Sequence, residues 1–314
     1  MFKIEDKHGE KNIYFLNKKI LKFGGHSNKH LHKDIQLIGD FITAYISAED
    51  IPKAKGYLRD IQLGDLKILK EIDRVCKKHN LVYWIDFGTL LGAIRHHGYI
   101  PWDDDIDVCM LRDDYLKFIE IFNNECIHSD LVASLYSHPS GKANLIKVMH
   151  KNISNLFVDI FPVDVGYVTL DYKDKLSLSK KIQNLSNKHA NKIRSFDSLS
   201  EWHNSYLELR NKELSTIIAK DSTATPKIVF YGLEFYHRTH KYNVFDYNVI
   251  FPLKEISFEG ELFPCVNDID TYLTCIFGNY MVLPKSLRIH SELNDISIEN
   301  ALAIKNFVRN KKIF

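Results

Sequence analysis

Pro101-Trp102-Asp103-Asp104-Asp105-Ile106-Asp107-Val108, running on into Cys109-Met110, is the stretch that decides the fold. Side chains along a strand alternate faces, so in extended backbone Asp103, Asp105 and Asp107 share one face, and Trp102, Ile106 and Val108 share the other. The apolar set predicts a strand over Asp105 to Met110 with its back on a core. Asp104 breaks the alternation and is expected in the entry loop. Carboxylates two residues apart on one strand stand about 7 Å from each other and repel unless positive charge lies between them. A hard divalent cation meets that need. Mg²⁺ (or Mn²⁺) takes one or two carboxylates and leaves positions for phosphate oxygens. The expected ligands are Asp105 and Asp107, with Asp103 on the same face. The competing interpretation, an acidic loop in solvent, sits badly with the strand-forming flanks.

Upstream, Asp60 to His79 places Ile61, Leu66, Leu69, Ile72, Val75 and Cys76 at helical spacing and predicts an amphipathic helix. Leu81 to Phe87 (LVYWIDF) is aromatic and β-branched, as a buried strand requires. Gly88-Thr89 then turns into a short helix, Leu90 to His96. A glycine at such a turn admits a phosphate to the backbone, the free amides of the following helix bind it, and the Thr89 hydroxyl adds a donor. Gly-Thr alone marks any tight turn; it gains meaning from the Asp-x-Asp run behind it. Arg95, Lys142 and Lys147 are candidate phosphate clamps, each with the plain alternative of a solvated surface cation.

Downstream, Asp113 or Asp114 caps a helix that runs to Phe122. Leu156 to Ile160 (LFVDI) is expected to be a strand stopped by Pro162. Asp159 inside it is costly to bury unless paired or metal-bound, which makes it the third carboxylate or else a satisfied structural one. Asp171 to Arg194 has a helical pattern, and Tyr272 to Tyr280 predicts a helix ending at Gly278. Asn12 to Phe23 suggests a hairpin. His26, His30 and His32 follow among glycines, without the partners a rigid metal site needs. Strands and helices thus alternate along this stretch.

The bulk properties exclude several classes. A chain of 314 residues that is 45% hydrophobic can bury a sizeable core. The net charge of +2 supplies no global field for nucleic acid, so no nucleic-acid partner is expected. Five cysteines, none in zinc or redox spacing, are expected as reduced thiols. The opening residues lack a signal-peptide apolar core, and no apolar run reaches about 18 residues. The expected location is cytoplasmic.

Gly88-Thr89-Leu90-Leu91-Gly92-Ala93-Ile94-Arg95 followed by Ile100-Pro101-Trp102-Asp103-Asp104-Asp105-Ile106-Asp107 resembles the signature of LicD-type phosphotransferases, a family with phosphocholine transferases and fukutin-type ribitol-phosphate transferases. The likeness takes in Leu58 to Leu63, Asp113-Asp114-Tyr115 and Val158 to Asp164, with a weaker echo from Tyr272 to Pro284. Phe277 departs from it, where Tyr-Gly is more usual. The resemblance implies an α/β (α+β) fold, a nucleotidyltransferase-like mixed sheet flanked by helices with an added helical region. It divides the chain into an N-terminal extension with a small β element (1–50), a catalytic domain (51–290) and a C-terminal helical tail (291–314). It implies catalytic Asp105, Asp107 and Asp159, metal ligation by these and Asp103, and donor binding by Gly88, Thr89, Arg95 and Lys147.

The expected reaction moves a phospho-alcohol from a CDP-alcohol, CDP-choline being favoured, to a sugar hydroxyl of a cell-surface glycan such as lipopolysaccharide, capsule or teichoic acid, free or lipid-linked. Choline requires aromatic faces, and Tyr231, Phe235, Tyr236, Tyr242, Phe245 and Tyr247 are candidates, though such a cluster is also what a core looks like. Two alternatives stay open: transfer of a nucleoside monophosphate, and a catalytically silent glycan-binding protein. Ala301 to Phe314 (ALAIKNFVRNKKIF) predicts a helix that either packs on the domain or lies peripherally on the inner face of the membrane.

Overall fold

A computed structural model describes residues 2–7, 10–15, 18–23, 47–137, 144–189, 199–219, 224–234, 243–283 and 297–310. Lys142, His26, His30, His32, Phe235, Tyr236, Tyr242 and the basic end Lys311-Lys312 fall outside these residues. By its contacts the chain divides into two units, Met1–Ile51 with Met281–Arg288, and Pro52–Tyr280 with Ile289–Phe314. In the first, β1 (Phe2–Lys7), β2 (Glu10–Phe15) and β3 (Lys18–Phe23) form an antiparallel sheet in that order. The β2–β3 pair is the hairpin that Asn12 to Phe23 predicts.

The second unit opens with α1 (Tyr57–His79), which buries Ile61, Ile68, Leu69, Ile72, Val75 and Cys76 and ends on a left-handed Asn80. Then come β4 (Tyr83–Ile85), α2 (Phe87–His96), β5 (Asp107–Leu111) and α3 (Arg112–Glu125). A meander of β6 (Leu131–Ser137), β7 (Asn144–His150) and β8 (Ile153–Gly166) follows. After α4 (Tyr172–His189) and α5 (Leu199–Glu213) come β9 (Ile228–Tyr231) and β10 (Val244–Asp246). The hairpin β11 (Lys254–Phe258) and β12 (Glu261–Cys265), α6 (Ile269–Phe277) and α7 (Ile298–Arg309) complete it. The fold is α/β, a mixed sheet flanked by helices.

The sheet is built on β8. One edge of β8 carries β5 in parallel, over Asp107↔Asp159 to Leu111↔Val163. The other edge carries β7 antiparallel and then β9 antiparallel from Val163. The row Val108, Ile160 and Ile146 is fully buried and forms the core side. The long run of inward β-branched residues on β8 is what a strand with neighbours on both edges requires.

Several boundaries differ from expectation. The strand expected over Leu81 to Phe87 is only Tyr83–Ile85, because Asp86 caps α2 and draws Phe87 into the helix. The strand expected to stop at Pro162 continues to Gly166. Pro162 sits where β7 ends and β9 begins, and its carbonyl accepts from Gly232 N–H (3.0 Å) on that edge. The missing proline N–H therefore falls at the handover between two partner strands, where proline is tolerated.

Candidate active site: a row of charges on the central strands

Asp107 opens β5 in register with Asp159 of β8, which is in register with Lys147 of β7. Residues opposite one another across a sheet project from the same face, so these side chains form one row across adjacent strands. Lys147 Nζ stands 3.0 Å from Asp159 Oδ1, and both side chains are largely buried. The ammonium is also 3.4 Å from the centre of the Phe157 ring and 4.5 Å from that of Tyr136, an apolar setting that sharpens its field. Burial pushes the Asp159 carboxyl up to about 7; Lys147 pulls it back and Asp105 pushes it further. Burial, then the Asp105 and Asp159 charges, raise Asp107 well above the usual carboxylate range.

Although Ile106 O accepts from Asp159 N–H (2.9 Å), the segment before β5 lies outside the strand, which corrects the expectation of a strand from Asp105. Asp103 N–H donates to Ile100 O (3.0 Å) in a turn, and the ladder with β4 starts only at Val108↔Ile85. Freed from strict alternation, Asp103, Asp104 and Asp105 bring carboxylate oxygens within 4.8 Å of one another. Asp104 lies in the entry loop, as expected, and joins the cluster. Asp103 is held well above its ordinary value by burial and then by Asp105 and Asp104, though its edge meets solvent.

Helix α2 aims its N-terminus into this group. Asp86 is fully buried and accepts from Phe87 N–H (2.8 Å), Tyr231 Oη (2.8 Å), Cys109 Sγ (2.7 Å) and Tyr272 Oη. These bonds fix the helix start, where Phe87 takes φ 40°. Gly88 lies in the first turn, against Asp103: a β-carbon there would stand 2.8 Å from Asp103 Oδ2. Its bareness thus makes room for the carboxylate. The Thr89 hydroxyl accepts from Asp107 N–H (2.8 Å) and locks α2 to β5, so its oxygen serves the backbone.

Arg95 is buried, not an open clamp. Its Nη1 donates to Tyr280 O (2.9 Å) and its Nε to His96 Nε2 (3.0 Å), and burial brings its pKa down to about 10 against the pull of Asp103. Tyr231 and Phe245 lie in the core, and Tyr247 stacks on Phe251 at 4.8 Å. The described part of the aromatic cluster is therefore core, with Tyr231 committed to Asp86. A surface cleft of about 650 Å³, lined by Lys70, Arg74 and Glu261 among others, includes none of the carboxylates.

The loop that carries the acids is clamped from two sides. Gln62 Nε2 donates to Asp103 O (2.8 Å) from α1. Glu259, at the β11–β12 turn, accepts from Tyr99 N–H (3.1 Å), Arg59 and Lys53, and these bonds bring its pKa down to about 2 despite burial. Neither Gln62 nor Glu259 was marked by a motif. Gln62 stands on the buried stripe of α1, where the helical pattern expects an apolar residue.

The residues present fit a divalent cation. Asp103, Asp104, Asp105, Asp107 and Asp159 are hard oxygen donors whose charges add to burial in raising the pKa of Asp103, Asp107 and Asp159, while the neighbouring cations Lys147 and Arg95 are already turned to Asp159 and to the Tyr280 carbonyl.

Residues 80–189 match the model of the LicD/FKTN/FKRP nucleotidyltransferase domain. The chain is 26% identical to the lipopolysaccharide cholinephosphotransferase LicD of Haemophilus influenzae over 266 residues, covering 72% of this chain and 92% of that protein. It is 27% identical over 101 residues to the human ribitol 5-phosphate transferase FKRP, covering 31% of this chain and 20% of that one. A 55-residue stretch is 44% identical to an uncharacterised protein of Rickettsia typhi, 18% of each chain. The matched segment holds the Gly88 turn, the acidic run and Asp159, so the similarity to the LicD/FKTN/FKRP nucleotidyltransferase domain takes in the candidate site.

Proposed function

We propose that this protein is a phosphotransferase that moves a phospho-alcohol group from a nucleotide-linked donor to a sugar hydroxyl of a glycan. The observation that carries the proposal is the row Asp107, Asp159 and Lys147 beside the Asp103–Asp105 carboxylates at the N-terminus of α2. That arrangement holds excess negative charge ready for a cation and a helix terminus ready for an anion, as a diphosphate donor requires. The names of the relatives support phospho-alcohol transfer and a glycan acceptor.

The donor class we assign is a CDP-alcohol, with CDP-choline favoured because the relative matched over most of both chains is a cholinephosphotransferase. Ribitol phosphate follows from the second relative. Asp105, Asp107 and Asp159, joined by Asp103, would hold Mg²⁺, which when bound neutralises donor phosphate charge. Gly88 lets the Asp103 carboxylate lie against the helix N-terminus, where the donor would bind. Lys147 holds Asp159 in place and offers positive charge to the phosphate. In the alternative that Asp159 is left free of the ion, its pKa near neutrality suits it to accept the proton of the acceptor hydroxyl.

No helix among the described residues is long and apolar enough to cross a membrane. The outward stripe of α7 is Ile298, Leu302, Lys305 and Arg309, which suits weak contact with anionic lipid from the cytoplasmic side. Mass analysis of the product tests the reaction class. A glycan heavier by a phospho-alcohol supports the proposal; a glycan carrying a nucleoside monophosphate would replace it with nucleotidyl transfer.

A further inference from the structure

Glu259 occupies the first position of a two-residue turn, since Phe258 pairs with Glu261 across the β11–β12 hairpin. Glu259 and Gly260 take φ 52° and 86°. Turns of this kind favour asparagine or glycine, because a β-carbon makes the left-handed region costly. A glutamate kept there against local preference points to a task for its side chain. That side chain is 3% exposed and lies on the loop that leads into the acidic run, where it accepts from Tyr99 N–H (3.1 Å). Gly98 lets it come so close: a β-carbon at 98 would stand 2.2 Å from Glu259 Oε1.

The same carboxylate reaches the loop by a second route. Arg59 of α1 grips it with both ends of its guanidinium, Nη1 to Oε1 (3.1 Å) and Nη2 to Oε2 (2.6 Å). Arg59 Nη1 also donates to Gln62 Oε1 (3.1 Å). With its oxygen taken, the fully buried Gln62 amide turns its nitrogen to the loop, and Nε2 donates to Asp103 O (2.8 Å) and Ile100 O (3.4 Å). Asp103 N–H closes the same turn on Ile100 O (3.0 Å). The loop also rests on the backbone of α2: a β-carbon at Gly92 would stand 2.4 Å from Gly98 O and 3.0 Å from Ile100 N. Each of these contacts takes a backbone group of the loop, so the loop is fixed without spending a carboxylate of the acidic run on the task.

We infer that Glu259, Arg59 and Gln62 are positioning residues, a hydrogen-bonded chain from the β11–β12 turn through α1 that fixes the backbone of residues 99–103 and so presets the Asp103, Asp105 and Asp107 carboxylates for a divalent cation. Groups that orient metal ligands from behind act on metal affinity, about 10- to 100-fold for each one lost. The inference rests on the metal-site reading proposed above, and its test separates the two.

The test measures the Mn²⁺ affinity of the purified full chain by electron paramagnetic resonance, for wild type, Gln62→Met, Glu259→Gln and Lys70→Met, with melting in chelator to check each fold. Lys70→Met is the structural control. It cuts another tie between α1 and the hairpin, Lys70 Nζ to Glu261 Oε1 (2.6 Å), about two helical turns from Gln62. Gln62→Met and Glu259→Gln should each weaken Mn²⁺ binding, Gln62→Met by roughly tenfold or more, and Lys70→Met should bind it as wild type does. Glu259→Gln changes a turn residue by one atom and decides the matter should Gln62→Met fail to fold. Wild-type affinity in a folded Gln62→Met or Glu259→Gln, or an equal weakening in Lys70→Met, would overturn the positioning role and leave the metal reading standing. A wild-type chain that binds no Mn²⁺ would overturn both.

Discussion

Lys147 and Asp159 face each other on paired antiparallel strands with Nζ and Oδ1 3.0 Å apart, and Asp159 is in turn the parallel partner of Asp107. One cation thus shares a carboxylate with the acidic group. Lys147 lowers the Asp159 pKa against burial. In Lys147→Met the Asp159 carboxyl should rise above about 7, and the acid limb of the pH–activity profile should move alkaline. Turnover at neutral pH should fall roughly 10- to 100-fold, somewhat less than the loss of an oxyanion donor. A profile that does not move would remove Lys147 from the mechanism.

Gly88 is expected to accept a side chain in folding but not in donor binding. The β-carbon of Gly88→Ala would press on Asp103 Oδ2, so the alanine must displace a carboxylate without meeting backbone. Stability should change by under about 1 kcal/mol, since only a side-chain tip has to move. Donor affinity, measured by calorimetry in Mg²⁺, should drop at least tenfold. Wild-type affinity would show that the first turn of α2 does not contact the donor.

Without metal, stability should fall as pH rises. The Asp159 carboxyl titrates at about 7 in the folded chain and near 3.8 otherwise. Between those values the folded protein keeps a proton that the unfolded chain has lost, so stability present at low pH is lost as pH climbs to about 7. Asp103 and Asp107, raised by burial and mutual repulsion, act with the same sign. Glu259, depressed to about 2, acts oppositely, but its stabilisation fades only as pH falls below the ordinary carboxylate value. In chelator the melting temperature should be higher at pH 5.5 than at pH 8, and Mg²⁺ should raise it more at pH 8. An equal response to Mg²⁺ at both values would mean that these carboxylates do not hold the ion.

The C-terminal helix should prove both structural and outward-facing. Ile304 and Phe307 are buried, Phe307 packs edge-on to His150 at 5.0 Å, and Lys67 Nζ donates to the carbonyls of Phe307 (2.9 Å) and Asn310 (3.1 Å). Phe307→Ala should cost about 3 kcal/mol. The paired variant Ile298→Ser, Leu302→Ser alters exposed positions, so it should leave the melting temperature alone and weaken co-sedimentation with anionic vesicles. Vesicle binding unchanged by that pair would make the helix structural only.

The acidic run and Asp159 were legible because chemistry and pattern coincide there: aspartates in strand-forming surroundings have few bland explanations. Ile106 and Val108 turned inward as their alternation required. Strand β5 nevertheless begins two residues late, because the turn at Ile100 to Asp103 and the Gln62 clamp are tertiary and leave no local signal. The same limit hid Gln62, which occupies the buried stripe of α1 as a polar exception. Arg95 shows the converse: a residue type suited to phosphate can be spent on a carbonyl. The pair β6–β7, which delivers Lys147, is marked in the sequence only by Pro139-Ser140-Gly141 between the strands.

The central claim is that the Asp105, Asp107 and Asp159 carboxylates act on a nucleotide-linked phospho-alcohol. The most direct measurement is CMP release from a panel of CDP-choline, CDP-ribitol and CDP-glycerol with a glycan acceptor, for wild type, Asp105→Ala and Asp107→Asn. Wild type should release CMP from one of these donors only when Mg²⁺ or Mn²⁺ is present. Both variants should lose at least about 10³-fold in rate, comparable to the loss of a principal electrostatic group, while remaining folded in chelator. No CMP from any of these donors, or release by Asp107→Asn at the wild-type rate, would contradict the account.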